Sequence, residues 1–252
     1  MFDLHGKTVL ISGASSGLGR HFANTLAARG AAIVAGARRE ARLQALVGEI
    51  RARGGEVLAV PLDVTRAASI EAALDAACAW RGVPQVLVNN AGVASTAPAL
   101  ETGEADWDRV LDTNLKGAWL LAQGYARRLV TAQQPGNIIN VTSITAFRVA
   151  GGIAPYTASK AALGQLTRSL ALEWARHGIR VNALAPGYVE TEINAGYFDT
   201  EPGRAVVKRI PQRRIGTPQD LDGALLLLAS DASAYMTGSS IVVDGGHLVS
   251  GL

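Results

Sequence analysis

K-T-V-L-I-S-G-A-S-S-G-L-G, residues 7 to 19, joins a β-rich apolar run to a turn carrying three glycines. Lys7 to Ser12 reads as a buried strand, and a helix is expected to begin near Gly17. Gly13, Gly17 and Gly19 let the chain turn sharply and let backbone N–H groups approach a phosphate, while the helix N-terminus supplies positive potential. The spacing is G-x-x-x-G-x-G, not the G-x-G-x-x-G of the common dinucleotide fingerprint, and a lone glycine triad is often only a turn. Its position after an apolar strand and before a helix favours nucleotide binding.

Outward from this unit the same alternation recurs. Further β-rich runs lie at Ala31–Ala37, Glu56–Val60, Gln85–Asn89, Asn137–Val141, Ile179–Leu184 and Ser240–Asp244. Most are continuously apolar, as strands covered on both faces should be. Between them, Arg39–Arg53, Arg66–Trp80 and Ala158–Ala175 are rich in Ala, Leu and Arg and long enough for crossover helices. The pattern predicts an α/β fold: a Rossmann-like, doubly wound parallel sheet in three layers. No linker or low-complexity block divides it, so residues 1–252 are expected to form one domain, with a substrate loop at about 190–216.

Composition narrows the function classes. A chain of 252 residues with 48% hydrophobic and 18% charged residues can bury a full core. Its single cysteine, Cys78, excludes an internal disulfide framework and a cysteine-based zinc site, and suits the cytoplasm. No apolar run reaches membrane-spanning length, and the first residues do not resemble a signal peptide. Net charge is +3 and, apart from Lys208 to Arg214, the arginines are scattered, so neither nucleic acid nor membrane is expected as a partner.

Chemistry-bearing residues gather at the ends of strands, where open α/β sheets bind ligands. Asp63 follows the third strand, N-N-A-G closes the fourth at 89–92, and V-T-S places Ser143 after the fifth. Each has a plain alternative: Asp63 as a helix cap, the asparagines as a turn, Ser143 as a loop hydroxyl. Farther on, Y-T-A-S-K puts Tyr156 and Lys160 one helical turn apart on one face. An ammonium held beside a phenol favours phenolate, bringing a group of ordinary pKa ~10 towards use as an acid/base. A surface helix carrying an aromatic and a lysine would look the same.

Taken in order, S-G-A-S-S-G-L-G, Asp63-Val64, N-N-A-G, Asn114 in D-T-N-L-K-G, Ser143, Y-T-A-S-K, Pro186-Gly187 with Thr191, and S-S-I-V-V-D-G-G resemble the short-chain dehydrogenase/reductase family over nearly the whole chain. The resemblance implies an NAD(P)-dependent oxidoreductase that interconverts a ketone and a secondary alcohol. It makes Tyr156 the acid/base, with Lys160 lowering its pKa and binding the nicotinamide ribose. Ser143 would hold the substrate oxygen, and Asn114 would anchor a water relaying protons towards Lys160. Expected cofactor contacts are Gly13, Ser15, Ser16, Gly17, Leu18 and Gly19 in the loop, and Asp63, Val64, Asn90, Ala91 and Gly92 at the next strand ends. Pro186, Gly187, Val189 and Thr191 join them, with no metal. Ser12 stands where the family usually has threonine and keeps the hydroxyl.

Three finer expectations follow. At the end of the second strand, about ~20 residues after the glycines, a carboxylate would select NAD; here Ala37 is followed by Arg38 and Arg39, whose planar forks suit the 2′-phosphate of NADP. NAD remains possible, and Glu40 is near enough to be an alternative ribose acceptor. Substrate choice is expected from Ile144–Pro155 and from Glu190–Gly216, which includes Tyr197, Phe198 and the basic run Lys208 to Arg214; a polar surface lid with no special substrate charge would look the same. A 3-ketoacyl-carrier-protein reductase and a sugar or polyol dehydrogenase are the alternatives, the first weakened because such reductases present arginines where this chain has Gln134 and His177. The remote alternative is a non-catalytic nucleotide-binding regulator. By resemblance, two long helices, Glu104–Ala132 and Tyr156–Ala175, would build a dimer interface and the C-terminal strand a second, giving a homotetramer.

Overall fold

The computed structural model describes residues 2–192 and 196–250. Seven strands, β1 (Thr8–Ser12), β2 (Ala32–Ala37), β3 (Val57–Pro61), β4 (Val86–Asn89), β5 (Gly136–Val141), β6 (Ile179–Pro186) and β7 (Ser240–Val243), form one parallel sheet in the order β3-β2-β1-β4-β5-β6-β7. The chain runs outward from β1 to β2 and β3, then returns across β1 to start β4. The crevice at the carboxyl ends of β1 and β4 is therefore the topological switch point, where such sheets bind ligands. Val9 pairs with Ile33 on one side and Val86 on the other, fixing the register on both sides of that crevice.

Both faces of the sheet are covered, which is why the strands read as continuous apolar runs. Val9, Ile11, Ile33 and Val88 point into a layer with α1 (Gly17–Ala27), α2 (Glu40–Ala52) and α8 (Asp222–Ala229). Leu10, Val34, Leu87 and Ile138 point into the other, against α3 (Ala67–Arg81), α5 (Ala118–Ala132) and α6 (Ala154–Trp174). Each such side chain contributes about 1.5–3 kcal/mol by leaving water.

Two helices depart from expectation. Residues 104–132 are helical throughout, but α4 (Glu104–Leu111) passes into α5 through a π-helical segment, Asp112–Gly117. A side chain at Gly117 would meet the Val64 carbonyl oxygen at 2.7 Å, so the end of this widened turn packs closely on the loop after β3. Helix α6 begins two residues before Tyr156, with Pro155 in its first turn where a missing N–H is harmless.

The segment after β6 leaves and returns through a stitched neck. Val189 bridges to Gly216, Glu190 N donates to the Gly216 carbonyl and Gly216 N to that of Tyr188, both at 2.9 Å. Between lie a short 3-10 turn, Tyr197–Asp199, and α7 (Glu201–Arg209).

Candidate active site

The glycine loop divides its labour. A Cβ at Gly13 would lie 2.9 Å from the Ala91 backbone, and one at Gly19 would lie 2.3 Å from the Gly13 carbonyl oxygen, so these two glycines pack the loop against the end of β4. Gly17 differs: its φ is +51°, and the space its side chain would enter is bounded only by Thr191, 3.9 Å away. It is the glycine that faces the crevice. Ser12 ties the two strand ends together, its Oγ accepting from the backbone N–H of Asn90 and of Ala91, both at 3.1 Å. The Asn90 side chain donates back to the Ser12 carbonyl at 3.0 Å.

Helix α1 starts beyond Ser16 with no side-chain cap and no acidic residue in its first turn, leaving its N-terminal N–H groups and positive dipole for a ligand. Ser15 is buried and Leu18 packs on the core, so the loop is held from beneath. Arg39 folds back over it, donating to Ser15 Oγ at 2.9 Å and to Ser16 Oγ at 2.5 Å. Arg38 is exposed and its charge reaches Asp63 instead. Burial alone would raise the Asp63 carboxyl, but hydrogen bonds from the Thr65 hydroxyl and N–H, with Arg38 and Arg66, hold it below the usual range. Asp63 thus makes an Asx turn with Thr65; the N-cap of α3 is Arg66.

The second group lies beside the end of β4. Asn114, fully buried in the π segment, accepts from Val93 N at 2.8 Å and donates to the Val93 carbonyl at 2.9 Å and to Ser159 Oγ at 3.1 Å. Ser159 in turn donates to the Tyr156 carbonyl at 2.7 Å. A Cβ at Gly92 would lie 3.3 Å from Asn114 Oδ1 and 3.6 Å from Lys160 Nζ, so the chain after β4 runs directly over both side chains. Lys160 Nζ donates to the Val141 carbonyl at 2.8 Å and sits 5.6 Å from the centre of the Tyr156 ring. The pairing expected from Y-T-A-S-K is therefore present.

Burial opposes the lowering of the phenol that the amine is expected to bring. Among the protein's own groups burial dominates, pushing the Tyr156 phenol above its ordinary value, while the Ser143 side chain pulls it down and Tyr188 pushes it up. Burial also drives the Lys160 ammonium down to about 8. A charged donor stored without a carboxylate is expensive in such a place, and among the described residues Lys160 makes no ion pair. The site is built to receive polar groups it does not itself supply.

A family model described as enoyl-(acyl carrier protein) reductase matches residues 13–247. The 3beta-hydroxysteroid dehydrogenase 1 of Eggerthella lenta is 40% identical, over 97% of this chain and 94% of its own. The 2-dehydro-3-deoxy-D-gluconate 5-dehydrogenase of Dickeya dadantii is 38% identical over 98% and 97%. A crystal structure of gluconate 5-dehydrogenase from Burkholderia cenocepacia in complex with NADP and tartrate superposes with a TM-score of 0.95 at 37% identity, covering 99% of this chain and 98% of that one. The chain belongs to the short-chain dehydrogenase/reductase family. It is a nicotinamide-dependent oxidoreductase acting between CH–OH and C=O groups.

Within this short-chain dehydrogenase/reductase, the remaining expected residues also border the crevice. Gly187 N donates to the Val243 carbonyl at 2.9 Å, and a Cβ there would meet Asp244 at 2.6 Å, so Pro186-Gly187 is pinned to β7. Val189 is buried in the neck, and Glu192, next to Thr191, is held by Arg42 of α2 at 2.9 Å. Sequence reasoning missed the wall opposite Tyr156. There the Tyr188 ring stacks edge-on against Phe198, centroids 5.7 Å apart, and tilts against His247 at 5.6 Å. His247 lies 59 residues beyond Tyr188 by their numbers, so no local pattern announces the contact. Ser159 was also missed, although it stands inside Y-T-A-S-K, three residues after Tyr156.

Proposed function

We propose that this enzyme interconverts a ketone and a secondary alcohol on a small polyhydroxylated substrate, a sugar acid or polyol, with preference for NADP(H) over NAD(H). The observation that carries the mechanism is the gathering of Tyr156, Lys160, Ser143 and Asn114 beside the carboxyl ends of β4 and β5: Ser159 joins Asn114 to the Tyr156 carbonyl, Lys160 is held by the Val141 carbonyl, and the Ser143 side chain acts on the Tyr156 phenol. When bound, the nicotinamide supplies or accepts the hydride. Tyr156 donates its phenolic proton to the developing alkoxide in reduction and takes it back in oxidation, and the Ser143 hydroxyl stabilises the same oxygen. Lys160 holds positive charge beside the phenol and would donate to the ribose of the bound dinucleotide; Asn114 ties the chain after β4 to α6 through Val93 and Ser159 and would anchor a water leading towards Lys160.

The residues present fit the dinucleotide. Gly17 opens the loop at the uncapped start of α1, which suits the pyrophosphate. Gly13, Ser15, Ser16, Leu18 and Gly19 shape that loop. Asp63-Val64 and Asn90 to Gly92 would border the adenosine and ribose, and Pro186, Gly187, Val189 and Thr191 the carboxamide. Arg38 and Arg39 bracket the end of β2 with no carboxylate in the NAD-selecting position. We expect Arg38→Ala to weaken NADP far more than NAD, by about 1.5–3 kcal/mol, the worth of a charged hydrogen bond. Steady-state kcat/KM with both cofactors checks this; unchanged selectivity would show that Arg38 is only a solvated helix-start residue.

The substrate class rests on relatives named for gluconate, its keto derivatives and threitol. A panel of sugar acids, polyols and hydroxysteroids followed by nicotinamide absorbance tests it. Activity confined to steroids would reject the polyhydroxylated reading.

A homotetramer in the cytoplasm, each subunit working as one domain, completes the proposal. Among the described residues no helix is long and apolar enough to cross a membrane. The outer faces of α5 and α6 leave a groove of ≈ 810 Å³ in which Trp119, Val130, Leu172 and Trp174 are interleaved with Arg127, Glu173 and Arg176, a mixed surface that a second copy would cover. Ala158, Ala161 and Ala162 lie on accessible positions of α6, whereas Gly164 turns inward against Ala146 and takes no part. Light scattering at micromolar concentration should give four times the subunit mass; a monomer would refute the assembly.

A further inference from the structure

Beyond the hydride-transfer machinery, the wall facing Tyr156 carries positive charge that the reaction class does not require. Arg148 lies in the segment between Ser143 and Tyr156 and is half-buried. One guanidinium nitrogen donates to the His247 carbonyl at 2.6 Å and to Ser250 Oγ at 2.9 Å. Among the described residues its other two nitrogens make no recorded bond and no carboxylate lies within ion-pair reach. Its field reaches both Tyr188 and His247, and Tyr188 is the ring whose field reaches the Tyr156 phenol. Arg148 follows Ser143 by five residues, and His247, whose carbonyl it holds, packs its ring against Tyr188 at 5.6 Å, which ties the guanidinium to this wall.

A second cation converges on the same place. The chain after α7, Ile210 to Gln212, packs on Gly245-Gly246: a Cβ at Gly245 would touch Ile210 at 3.0 Å, and Gln212 N donates to the Gly245 carbonyl at 3.2 Å. This contact brings Arg209 beside His247, whose ring feels the charges of both Arg209 and Arg148. The nearest acid, Asp244, is committed: its two oxygens accept from Gly246 N at 2.8 Å and Leu248 N at 2.6 Å. Among the described residues the acid recorded beside this wall, Asp244, is thus already bonded, while Arg148 keeps donors to spare and Arg209 adds its charge from the chain end of α7.

We infer that Arg148, supported by Arg209, forms a carboxylate subsite, and that the substrate is a hydroxy acid or its keto acid. The Arg148 fork presents two parallel N–H groups to a carboxylate, Tyr188 and His247 pack against the carbon chain, and the reacting carbon lies towards Ser143 and Tyr156. This deepens the sugar-acid reading and rests on it.

The test compares gluconate with an uncharged polyol of equal chain length as substrates for the NADP-loaded enzyme, in the native chain, Arg148→Ala and Arg148→Lys. The informative quantity is the ratio of the two kcat/KM values. It should favour gluconate in the native enzyme, fall at least about tenfold in Arg148→Ala mainly through KM, and be partly restored in Arg148→Lys. If Arg148 serves only to hold residues 247–250, Arg148→Ala will lower both rates together and leave the ratio unchanged, which overturns the subsite. A native enzyme that turns over the polyol but shows no preference for gluconate also overturns it while sparing the polyhydroxylated reading. Calorimetric binding of gluconate that is lost in Arg148→Ala, without turnover of either compound, upholds the subsite and rejects the assigned reaction substrate. Absence of gluconate binding to the native holoenzyme rejects the subsite outright.

Discussion

Tyr156→Phe should lower kcat by about 10²–10⁴-fold, the usual contribution of positioned acid/base catalysis, while leaving NADP affinity within about twofold. The ring fills the same space, so Lys160 keeps its place 5.6 Å from the ring centre and its bond to the Val141 carbonyl. Ser159 bonds to the Tyr156 backbone carbonyl, and that link to Asn114 is likewise indifferent to the hydroxyl. What vanishes is the one proton donor that the burial of the site keeps protonated. Turnover and cofactor titration by fluorescence quenching separate the two effects. A Phe variant with near-normal kcat would mean that the proton comes from elsewhere, and a variant that loses cofactor as well would mean that the hydroxyl is a binding group.

Most of the crevice was legible because its determinants are local. The glycine turn, the apolar strands and N-N-A-G each sit within a few residues, and the sheet topology then brings their ends together. Ser12 illustrates this: its hydroxyl was expected to replace that of threonine, and it does hold Asn90 and Ala91. What sequence could not provide were contacts made between distant segments. The π turn at Asp112–Gly117 packs on the loop after β3 at Val64, and no helix propensity distinguishes it from an α turn. Arg39 was grouped with Arg38 at the strand end, and its reach back onto Ser15 and Ser16 is a contact that no local pattern announces. The His247 wall needs the lid neck and the end of β7 in place first. The burial of Tyr156 and Lys160 was hidden for a related reason: spacing reveals a neighbour, but only the fold reveals how much water both have lost.

That loss of water makes Lys160 the second decisive position. Lys160→Met keeps the length of the side chain but removes the charge, and it should cut kcat by at least about 10²-fold and also weaken cofactor binding, because the same amine serves the phenol and the ribose. Stability should respond in the opposite sense as pH rises. The ammonium titrates at about 8 in the folded chain and near ~10.4 when unfolded. Between those values the unfolded chain binds more protons, so this group makes folding more favourable with rising pH; below about 8 both states are protonated and the burial penalty is fully present. The native protein should therefore gain on the order of 2 kcal/mol relative to Lys160→Met between pH 7.5 and pH 10, about 1.4 kcal/mol for each unit crossed above the folded value. The bond lost to the Val141 carbonyl shifts the variant's stability at every pH alike and cancels in the comparison. Urea unfolding of both proteins at the two pH values measures the difference. Parallel pH dependences would mean that the amine is solvated in the folded chain, and with that the case for a stored cation beside Tyr156 would fail.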